Sequence, residues 1–267
     1  MMMESVFWFR LGLSFVVGGL WVLFSTTAAE RFGSKVGGLI GGLPSTAAAA
    51  LLFIGLTQSP EAASRATTIM PLAQGLNGLF LIAFSVLIRR GLFIGVAGSL
   101  LVWAAYASLL VGIGVPSFRV SVGGWLVLLA GCTLAVERWM AIPSRGRAGV
   151  SHSPIQILAR ALFGGLVIAL AVFMGRVGGP ACGGVFATFP AMFLSTLVVT
   201  YRSGGAEFSR AVAKSLMVSG LFNVAMYAVA VRYLYLWTGL AYGTLASVFL
   251  SLLSGYITYR FLKKRMA

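Results

Sequence analysis

The sequence contains no aspartate and few charged residues of any kind. Only 9% of its 267 residues are charged, and its five acidic residues are all glutamates. A soluble domain usually has about a quarter of its residues charged. A chain with so little charge cannot cover a water-soluble fold, which excludes a soluble enzyme and a nucleic-acid-binding module.

The residues needed for metal sites and disulfide frameworks are also scarce. The chain has two cysteines, Cys132 and Cys182, and one histidine, His152. It has no HExxH pattern, no cysteine–histidine cluster and no phosphate-binding loop. These absences predict a protein that is not an enzyme and that holds no metal or cofactor.

Apolar residues make up 59% of the chain, and the mean hydropathy is +0.97. Apolar runs of about 20 residues are long enough to cross a hydrocarbon layer as helices. Charged residues, glycines and prolines separate these apolar runs into about nine predicted transmembrane helices: 7–27, 38–57, 67–88, 91–113, 120–140, 158–175, 183–201, 211–231 and 234–258.

The basic residues fall unequally on the two sides of these spans. Fifteen of the 20 lysines and arginines lie on the side of the C-terminus and five on the side of the N-terminus. Positive charge marks the cytoplasmic side. The sequence therefore predicts an integral protein of the cytoplasmic membrane with its N-terminus outside and its C-terminus inside. The net charge of +15 also favours contact with anionic lipids at the cytoplasmic face, and no nucleic-acid partner is expected.

The chain repeats itself weakly at an offset of 146 residues. Several glycines, prolines and polar residues recur in one ungapped register. The paired positions are Gly18-Gly19-Leu20 with Gly164-Gly165-Leu166, Gly37-Gly38 with Gly183-Gly184, Pro44 with Pro190, Glu61 with Glu207, and Asn77 with Asn223. The span at 158–175 repeats the one at 7–27, so we expect the first span to be a retained helix and not a signal peptide.

The offset predicts a three-part organisation. Residues 1–115 form a first four-helix repeat, residues 116–153 a linker helix and cytoplasmic loop, and residues 154–267 a second four-helix repeat with a basic tail. An odd number of helices, the four of the first repeat and the linker helix, precedes the second repeat. The second repeat must therefore enter the membrane inverted. Inverted repeats are typical of secondary transporters, whose substrates bind near the midplane between the copies.

The most distinctive local pattern is GG-x5-P, which occurs once in each repeat. It consists of Gly37, Gly38 and Pro44 in the first repeat and of Gly183, Gly184 and Pro190 in the second. Proline opens the helical hydrogen-bond ladder, and an interrupted helix presents backbone donors to an anionic group. The alternative is a kinked, tightly packed helix without a ligand, and the sequence leaves both interpretations open.

Four polar side chains complete the predicted substrate site. Asn77 and Asn223 lie near the centres of their spans, and Gln74 is one turn before Asn77 on the same face. Each amide either binds substrate or bonds a neighbouring helix. Lys214 either closes the inner mouth of an anion path or extends to the headgroups. Glu61 and Glu207 lie just before the spans at 67–88 and 211–231, where a carboxylate favours the start of a helix.

Paired four-helix units in inverted arrangement resemble the drug/metabolite transporter group. The segments VGGLIGGLPSTAAAALLFIGL and CGGVFATFPAMFLSTLVVTY are also similar to small uncharacterised membrane families with a GG…P helix. The resemblance implies a transport fold, and it implies no particular substrate. The small multidrug members of the group have a membrane-embedded glutamate in the first helix, where this chain has Ser14.

We therefore expect a secondary transporter or exchanger of a small anionic or polar metabolite. The alternatives are a non-transporting assembly or lipid-binding subunit and a lipid-headgroup flippase. A small-molecule substrate is the expected partner, and the sequence leaves homo-oligomer formation open.

Overall fold

The computed structural model describes residues 2–31, 44–115, 117–140, 142 and 153–266. Within these ranges the chain is helical and contains no strand. The α-helices are α1 (Met2–Arg31), α2 (Ser45–Thr57), α3 (Pro60–Ala66), α4 (Met70–Leu87), α5 (Leu92–Ile113), α6 (Phe118–Leu134), α7 (Pro154–Val177), α8 (Gly179–Ala187) and α9 (Ala191–Met266). A 3₁₀ turn, Ile88–Arg90, follows α4, and a turn of π-helix, Ala135–Trp139, follows α6.

Helix α9 is three segments joined by single glycines. The backbone leaves helical geometry at Gly205 (φ 75°) and at Gly239 (φ 76°). These positive φ values favour glycine, which has no Cβ to clash with the backbone. We call the segments α9a (191–204), α9b (206–238) and α9c (240–266).

Six helical stretches in the described part of the chain are long and apolar enough to cross a membrane. Many of their large apolar side chains are exposed, among them Phe9, Leu101, Val127 and Phe249. A surface of this kind fits a lipid environment better than water.

The helices agree with most of the predicted spans and differ in three places. The predicted span 183–201 is broken into α8 and α9a, and the predicted boundary at 231–234 lies inside α9b. Helix α3 was not predicted. Only the later part of the predicted span 38–57 lies within the described residues, as α2.

Helices α4 and α9b pack side by side in opposite directions. The start of α4 is near the end of α9b, where Arg232 donates to Thr68 Oγ1 at 2.9 Å. The end of α4 leads to Arg89, whose Nε is 3.1 Å from Glu207 Oε1 at the start of α9b. Between these two ends, Gln74 Nε2 donates to the carbonyl oxygen of Gly220 at 3.3 Å, across a sequence separation of 146 residues.

Helices α1 and α7 contact one another reciprocally through glycines. A Cβ added to Gly18 would lie 2.6 Å from Ile168, and one added to Gly164 would lie 2.8 Å from Val22. Gly164 follows Gly18 by 146 residues, and Ile168 follows Val22 by 146 residues. The two contacts are therefore equivalent under the 146-residue offset. At the crossing, Cβ atoms added to Gly19 and Gly165 would lie 3.1 and 2.5 Å from the carbonyl oxygens of Ala161 and Phe15, respectively. The absence of side chains at these glycines therefore permits the backbones to approach closely.

Helix α6 packs against both α4 and α9b. The Ser121 hydroxyl accepts from the backbone N–H of Leu72 at 3.0 Å, and Trp125 Nε1 donates to the carbonyl oxygen of Leu221 at 3.2 Å. Further along, a Cβ at Gly78 would meet Cys132 at 2.7 Å. The order of these contacts makes α6 parallel to α4.

Candidate functional site

Two helices begin at prolines in the middle of the molecule. Pro44 is the N-cap of α2, and its carbonyl oxygen accepts from Ala48 N at 2.7 Å. Pro190 precedes α9a, and its carbonyl oxygen accepts from Leu194 N at 2.8 Å. The two starts are therefore built alike, at positions separated by the same 146-residue offset. Helix α2 has no side-chain cap at its start.

The prediction that proline interrupts the second GG-x5-P helix is confirmed. Helix α8 ends at Ala187, and α9a begins at Ala191. The intervening backbone turns back on itself, with Phe189 N donating to Phe186 O at 3.1 Å and Ala191 N to Phe189 O at 2.8 Å. The first N–H groups of a helix have no acceptor within that helix, and the starts of α2 and α9a both adjoin the cavity.

A small cavity, partly open to the surroundings, lies between the two helix starts and has about 70 Å³ of space for the centres of water-sized spheres. Its lining comes from α2, α4, α7, the end of α8, α9a, α9b and the break before α9a. The residues are Pro44, Thr46, Ala47, Gln74, Asn77, Arg160, Ala187, Thr188, Phe189, Pro190, Met192, Phe193, Thr196, Leu216, Ser219, Gly220 and Val224.

Arg160 is the one charged residue in the described part of the cavity lining. Arg160 lies in α7, and its Nη1 donates to Thr196 Oγ1 at 3.2 Å. The helix starts at Pro44 and Pro190 each add about half a positive charge from the aligned peptide dipoles.

Asn77 lines the cavity but is fully bonded within the protein. Its Nδ2 donates to Gln74 Oε1 at 3.0 Å and to Thr188 O at 2.9 Å, and its Oδ1 accepts from Tyr106. Thr188 O lies in the break before Pro190, where the helical ladder no longer supplies it with a donor. Asn77 therefore fastens the interrupted segment to α4 and α5.

Asn223 lies outside the cavity lining. Its carbonyl oxygen accepts from Ser251 Oγ at 3.1 Å, and its side-chain oxygen lies 3.5 Å from Ser254 Oγ. Both serines belong to α9c. The two asparagines thus occupy equivalent positions, 146 residues apart, and both join helices. Only Asn77 lines the cavity.

Only some of the other predicted site residues line the cavity. Gln74, Pro44 and Pro190 line the cavity. Gly183 packs against Gly175 and Ile54, and Gly184 against Ala66 and Ile69.

Lys214 lies apart from the cavity, and its Nζ donates to Ile142 O at 3.0 Å. Gly37 and Gly38 lie outside the described residues. Glu61 stands in the first turn of α3, as predicted for a carboxylate at a helix start. There the Ser59 side chain and the backbone N–H of Glu61 itself lower the pKa of its carboxyl group, and Arg65 adds to the effect.

Polar contacts join α4 to α9b at both ends of the cavity region. The Glu207 cluster consists of Arg89, Glu207 and Arg210. Arg210 Nη1 is 2.7 Å from Glu207 Oε2, and only 4% of the Arg210 side chain is exposed. The Arg232 cluster consists of Ser64, Thr68 and Arg232.

In the Arg232 cluster, Ser64 Oγ donates to Arg232 O at 2.8 Å. Because α4 is 18 residues long, the two clusters are separated by about 27 Å along its axis.

Sequence reasoning missed five polar residues of the cavity lining: Thr46, Arg160, Thr188, Thr196 and Ser219. Arg160 was counted with the cytoplasmic charges, because it closely follows a polar stretch. A capping box formed by Ser153 and Gln156 starts α7 before Arg160. That signal is legible in the sequence, and it places the arginine inside the helix.

The described part of the molecule is an all-helical protein with several helices of membrane-spanning length. A family model described as "Protein of unknown function (DUF3147)" matches residues 11–114 and 157–264. These ranges cover most of the chain, which therefore belongs to this family. The two matched ranges begin 146 residues apart. No curated protein and no solved structure matches the chain.

Proposed function

We propose that the protein is a secondary transporter or exchanger of a small anionic or polar metabolite that works by alternating access. The observation that supports this most is the cavity between the starts of α2 and α9a. Both helices lead away from it, toward opposite ends of α4. Half-helices that begin at a central site and point their N-termini at an anionic group are a recurrent device of transporters.

The antiparallel packing of matching helices supports an inverted repeat. Gln74 and Gly220 are bonded to each other and occupy the same position in the two copies. Gly19 and Gly165 meet at the crossing of α1 and α7 in the same manner. A two-fold axis perpendicular to these helices relates each copy to the other, and this axis lies in the plane of a membrane that the helices cross. The two ranges matched by the family model support the same duplication.

Under this proposal the end clusters are the two closures of the transport path. The Glu207 cluster closes the cytoplasmic end with ion pairs. The Arg232 cluster closes the external end with bonds to neutral oxygens. Alternating access requires that one closure opens while the other holds. In the same scheme the N-terminus is outside and the C-terminus inside the cytoplasmic membrane, and the described helices belong to a nine-helix arrangement.

Transport in proteoliposomes tests the proposal. The purified full chain is reconstituted, and uptake of a panel of radiolabelled small metabolites is measured against protein-free liposomes. We expect saturable uptake that is faster when the liposomes already contain the unlabelled solute. The reason is that a carrier changes its orientation in the membrane faster with solute bound than empty. Uptake that is absent for anionic and neutral polar solutes alike contradicts the proposal and favours a non-transporting membrane subunit.

A matched pair of variants ties uptake to the cavity. Ser219 lines the cavity, whereas Ser215 is one turn earlier in the same segment and is exposed. Ser219→Trp fills the cavity and is expected to abolish uptake. Ser215→Trp is expected to preserve it. Equal uptake by the two variants would contradict the proposal that the solute passes through the cavity.

A further inference from the structure

We propose that Arg119 and Arg232 together bind the phosphate group of an anionic phospholipid. We call Arg119, Arg232 and the Phe118 ring between them the headgroup site. It lies outside the cavity, at the end of the molecule that holds the Arg232 cluster. In the proposed orientation this end is external, on the side opposite to the cytoplasmic face where the sequence predicts contact with anionic lipids. The inference goes beyond the proposed function and does not depend on transport.

The guanidinium of Arg232 is held in place by the protein, and part of it stays available. It lies over the Phe118 ring, 4.6 Å from the centroid, and its Nη1 donates to Thr68 Oγ1 at 2.9 Å and to Ser64 O at 3.3 Å. Its Nε and Nη2 donate to no group in the part of the chain that the structure describes, and neither atom is buried without a partner. These donors therefore face the surroundings, and a phosphate offers oxygens that match them.

Arg119 places a second cation next to the first. It follows Phe118 in the first turn of α6, and it is exposed. Within the described residues it makes no hydrogen bond and no ion pair. The first turn of a helix is the positive end of the peptide dipole, which disfavours a cation there and favours an anion. A bound phosphate therefore offsets the charge of both arginines and of the helix start.

The carboxylate that precedes this region in the chain is directed to another arginine. Glu61 stands in the first turn of α3, and its carboxyl group interacts electrostatically with Arg65, one turn later in the same helix. No ion pair joins Arg119 or Arg232 to a carboxylate in the described ranges. An anionic lipid is therefore matched better than a zwitterionic one, because no carboxylate stands ready for the ammonium group of a zwitterionic headgroup.

Aromatic side chains beside the headgroup site favour a lipid over a free phosphate ion. The Tyr233 ring packs edge-on against Phe118, with centroids 6.4 Å apart, and Trp237 lies one turn further along α9b, 6.4 Å from Tyr233. The Trp237 side chain is 79% exposed. Exposed tyrosine and tryptophan residues collect at the level of the headgroups in a bilayer. A phospholipid gives its phosphate to the arginines and its glycerol and upper chains to these rings, whereas a free ion contacts the arginines alone.

Native mass spectrometry of the delipidated full chain in detergent tests the inference. The probes are phosphatidylglycerol, phosphatidylcholine with the same acyl chains, and glycerol 3-phosphate, which has the phosphate without the chains. We expect phosphatidylglycerol to bind about fivefold more tightly than phosphatidylcholine, since one arginine near a membrane surface contributes about this factor. Equal affinities for the two lipids would overturn the inference. Glycerol 3-phosphate that binds as tightly as phosphatidylglycerol would overturn the choice of a lipid.

Variants of the two arginines assign the binding to the headgroup site. Arg119→Gln removes a charge without removing an intramolecular bond in the described part, so folding is expected to be unaffected. It is expected to weaken the tightest phosphatidylglycerol binding about fivefold, and Arg119→Lys is expected to restore most of the loss. Arg232→Gln is expected to weaken binding at least as much. Arg232→Gln also loses the bond to Thr68, so Arg119→Gln decides the question if the Arg232 variant does not fold.

Arg176→Gln is the matched control. Arg176 lies at the same end of the molecule and is also placed over a ring, 4.0 Å from the Phe7 centroid. The next arginine on α1, Arg10, is engaged with the carbonyl oxygen of Leu56. We therefore expect Arg176→Gln to leave the tightest phosphatidylglycerol binding unchanged. Binding that Arg119→Gln does not weaken, or that Arg176→Gln weakens equally, would refute the headgroup site.

Discussion

Asn77 positions the interrupted helix through its hydrogen bonds. It is only 1% exposed, and its bonds reach α4, α5 and the break before Pro190. A backbone carbonyl in an interrupted helix needs a donor wherever water is scarce. The Asn77 side chain gives that donor to Thr188 and keeps the start of α9a at the cavity.

Replacing Asn77 therefore disturbs stability and uptake together. Asn77→Ala is expected to cost about 1–2 kcal/mol of unfolding free energy, because hydrogen bonds between membrane helices average about 0.6 kcal/mol each. It is also expected to reduce uptake strongly. Tyr106→Phe removes one of the bonds and is expected to cost about 0.6 kcal/mol. Denaturation of the purified variants in detergent measures both values, and an Asn77→Ala protein as stable and active as the parent would contradict the positioning role.

The sequence predicts the polar residues of the cavity only in part. Asn77 and Gln74 stand out because amides are rare inside apolar spans. Thr46 does not stand out, because threonine is common in membrane helices and usually bonds its own backbone, as Thr57 does. Which hydroxyl lines the cavity depends on the tertiary contacts of its helix, and these do not follow from spacing.

At the scale of the helix, close packing of glycines joins α1 to α7. Gly165→Ala is expected to destabilise the protein by about 1–3 kcal/mol, because the new Cβ meets the Phe15 carbonyl oxygen at 2.5 Å and the backbones must separate. Gly12→Ala is the control on α1, since a Cβ at Gly12 has nothing within 4 Å. Thermal unfolding in detergent measures the difference, and equal melting temperatures would exclude a tight α1–α7 contact.

The Glu207 cluster gives a prediction about closure of the cytoplasmic end. Glu207→Gln weakens its pairing with Arg89 and with the buried Arg210, and we expect the inward-facing state to become more populated. Thr196→Cys in the cavity would then react faster with a maleimide supplied from the cytoplasmic side. Glu61→Gln is the control, because Glu61 stands at the corresponding position of the first repeat and its carboxyl group joins no such cluster. Equal labelling rates in the two variants would argue against a closure at Glu207.

Proline spacing predicts the interruption of the second GG-x5-P helix, and it does not predict the roles of the glycines. The break follows from the missing N–H of Pro190, which is a local property. Gly183 and Gly184 lie instead against α7, α2 and α3, where they allow close helix contacts. Helix α3 was missed because its seven residues are too short to produce a hydropathic run.

At the scale of the whole molecule, hydropathy predicts where helices lie better than where they end. The predicted spans 67–88 and 91–113 correspond to α4 and α5 within a few residues. The sequence predicts the boundary between the last two spans at 231–234, whereas the helix continues to Gly239. The prediction is too early because Arg232 interrupts the apolar run. Its guanidinium lies over the Phe118 ring, 4.6 Å from the ring centroid, and bonds Thr68, so the charge is accommodated without a turn.

The charge distribution predicts the orientation of the chain in the membrane. Ser144→Cys is expected to resist a membrane-impermeant maleimide in intact cells and to react in inverted vesicles, because residues 137–160 are expected inside. Ser117→Cys, at the start of α6, is expected to behave oppositely. The native Cys132 and Cys182 are buried and give little background. Labelling of Ser144→Cys in intact cells would reverse the predicted orientation.

Gly205 and Gly239 are single-residue junctions that connect α9a, α9b and α9c directly to one another. A loop of several residues absorbs the tilt of a helix, but a one-residue joint transmits it to the next segment. Under the proposed alternating access, tilting α9a to open one mouth of the cavity would turn α9b about Gly205, and α9b bears both Glu207 and Arg232. The glycine joint would then couple the proposed closures at the two ends of α4 to each other.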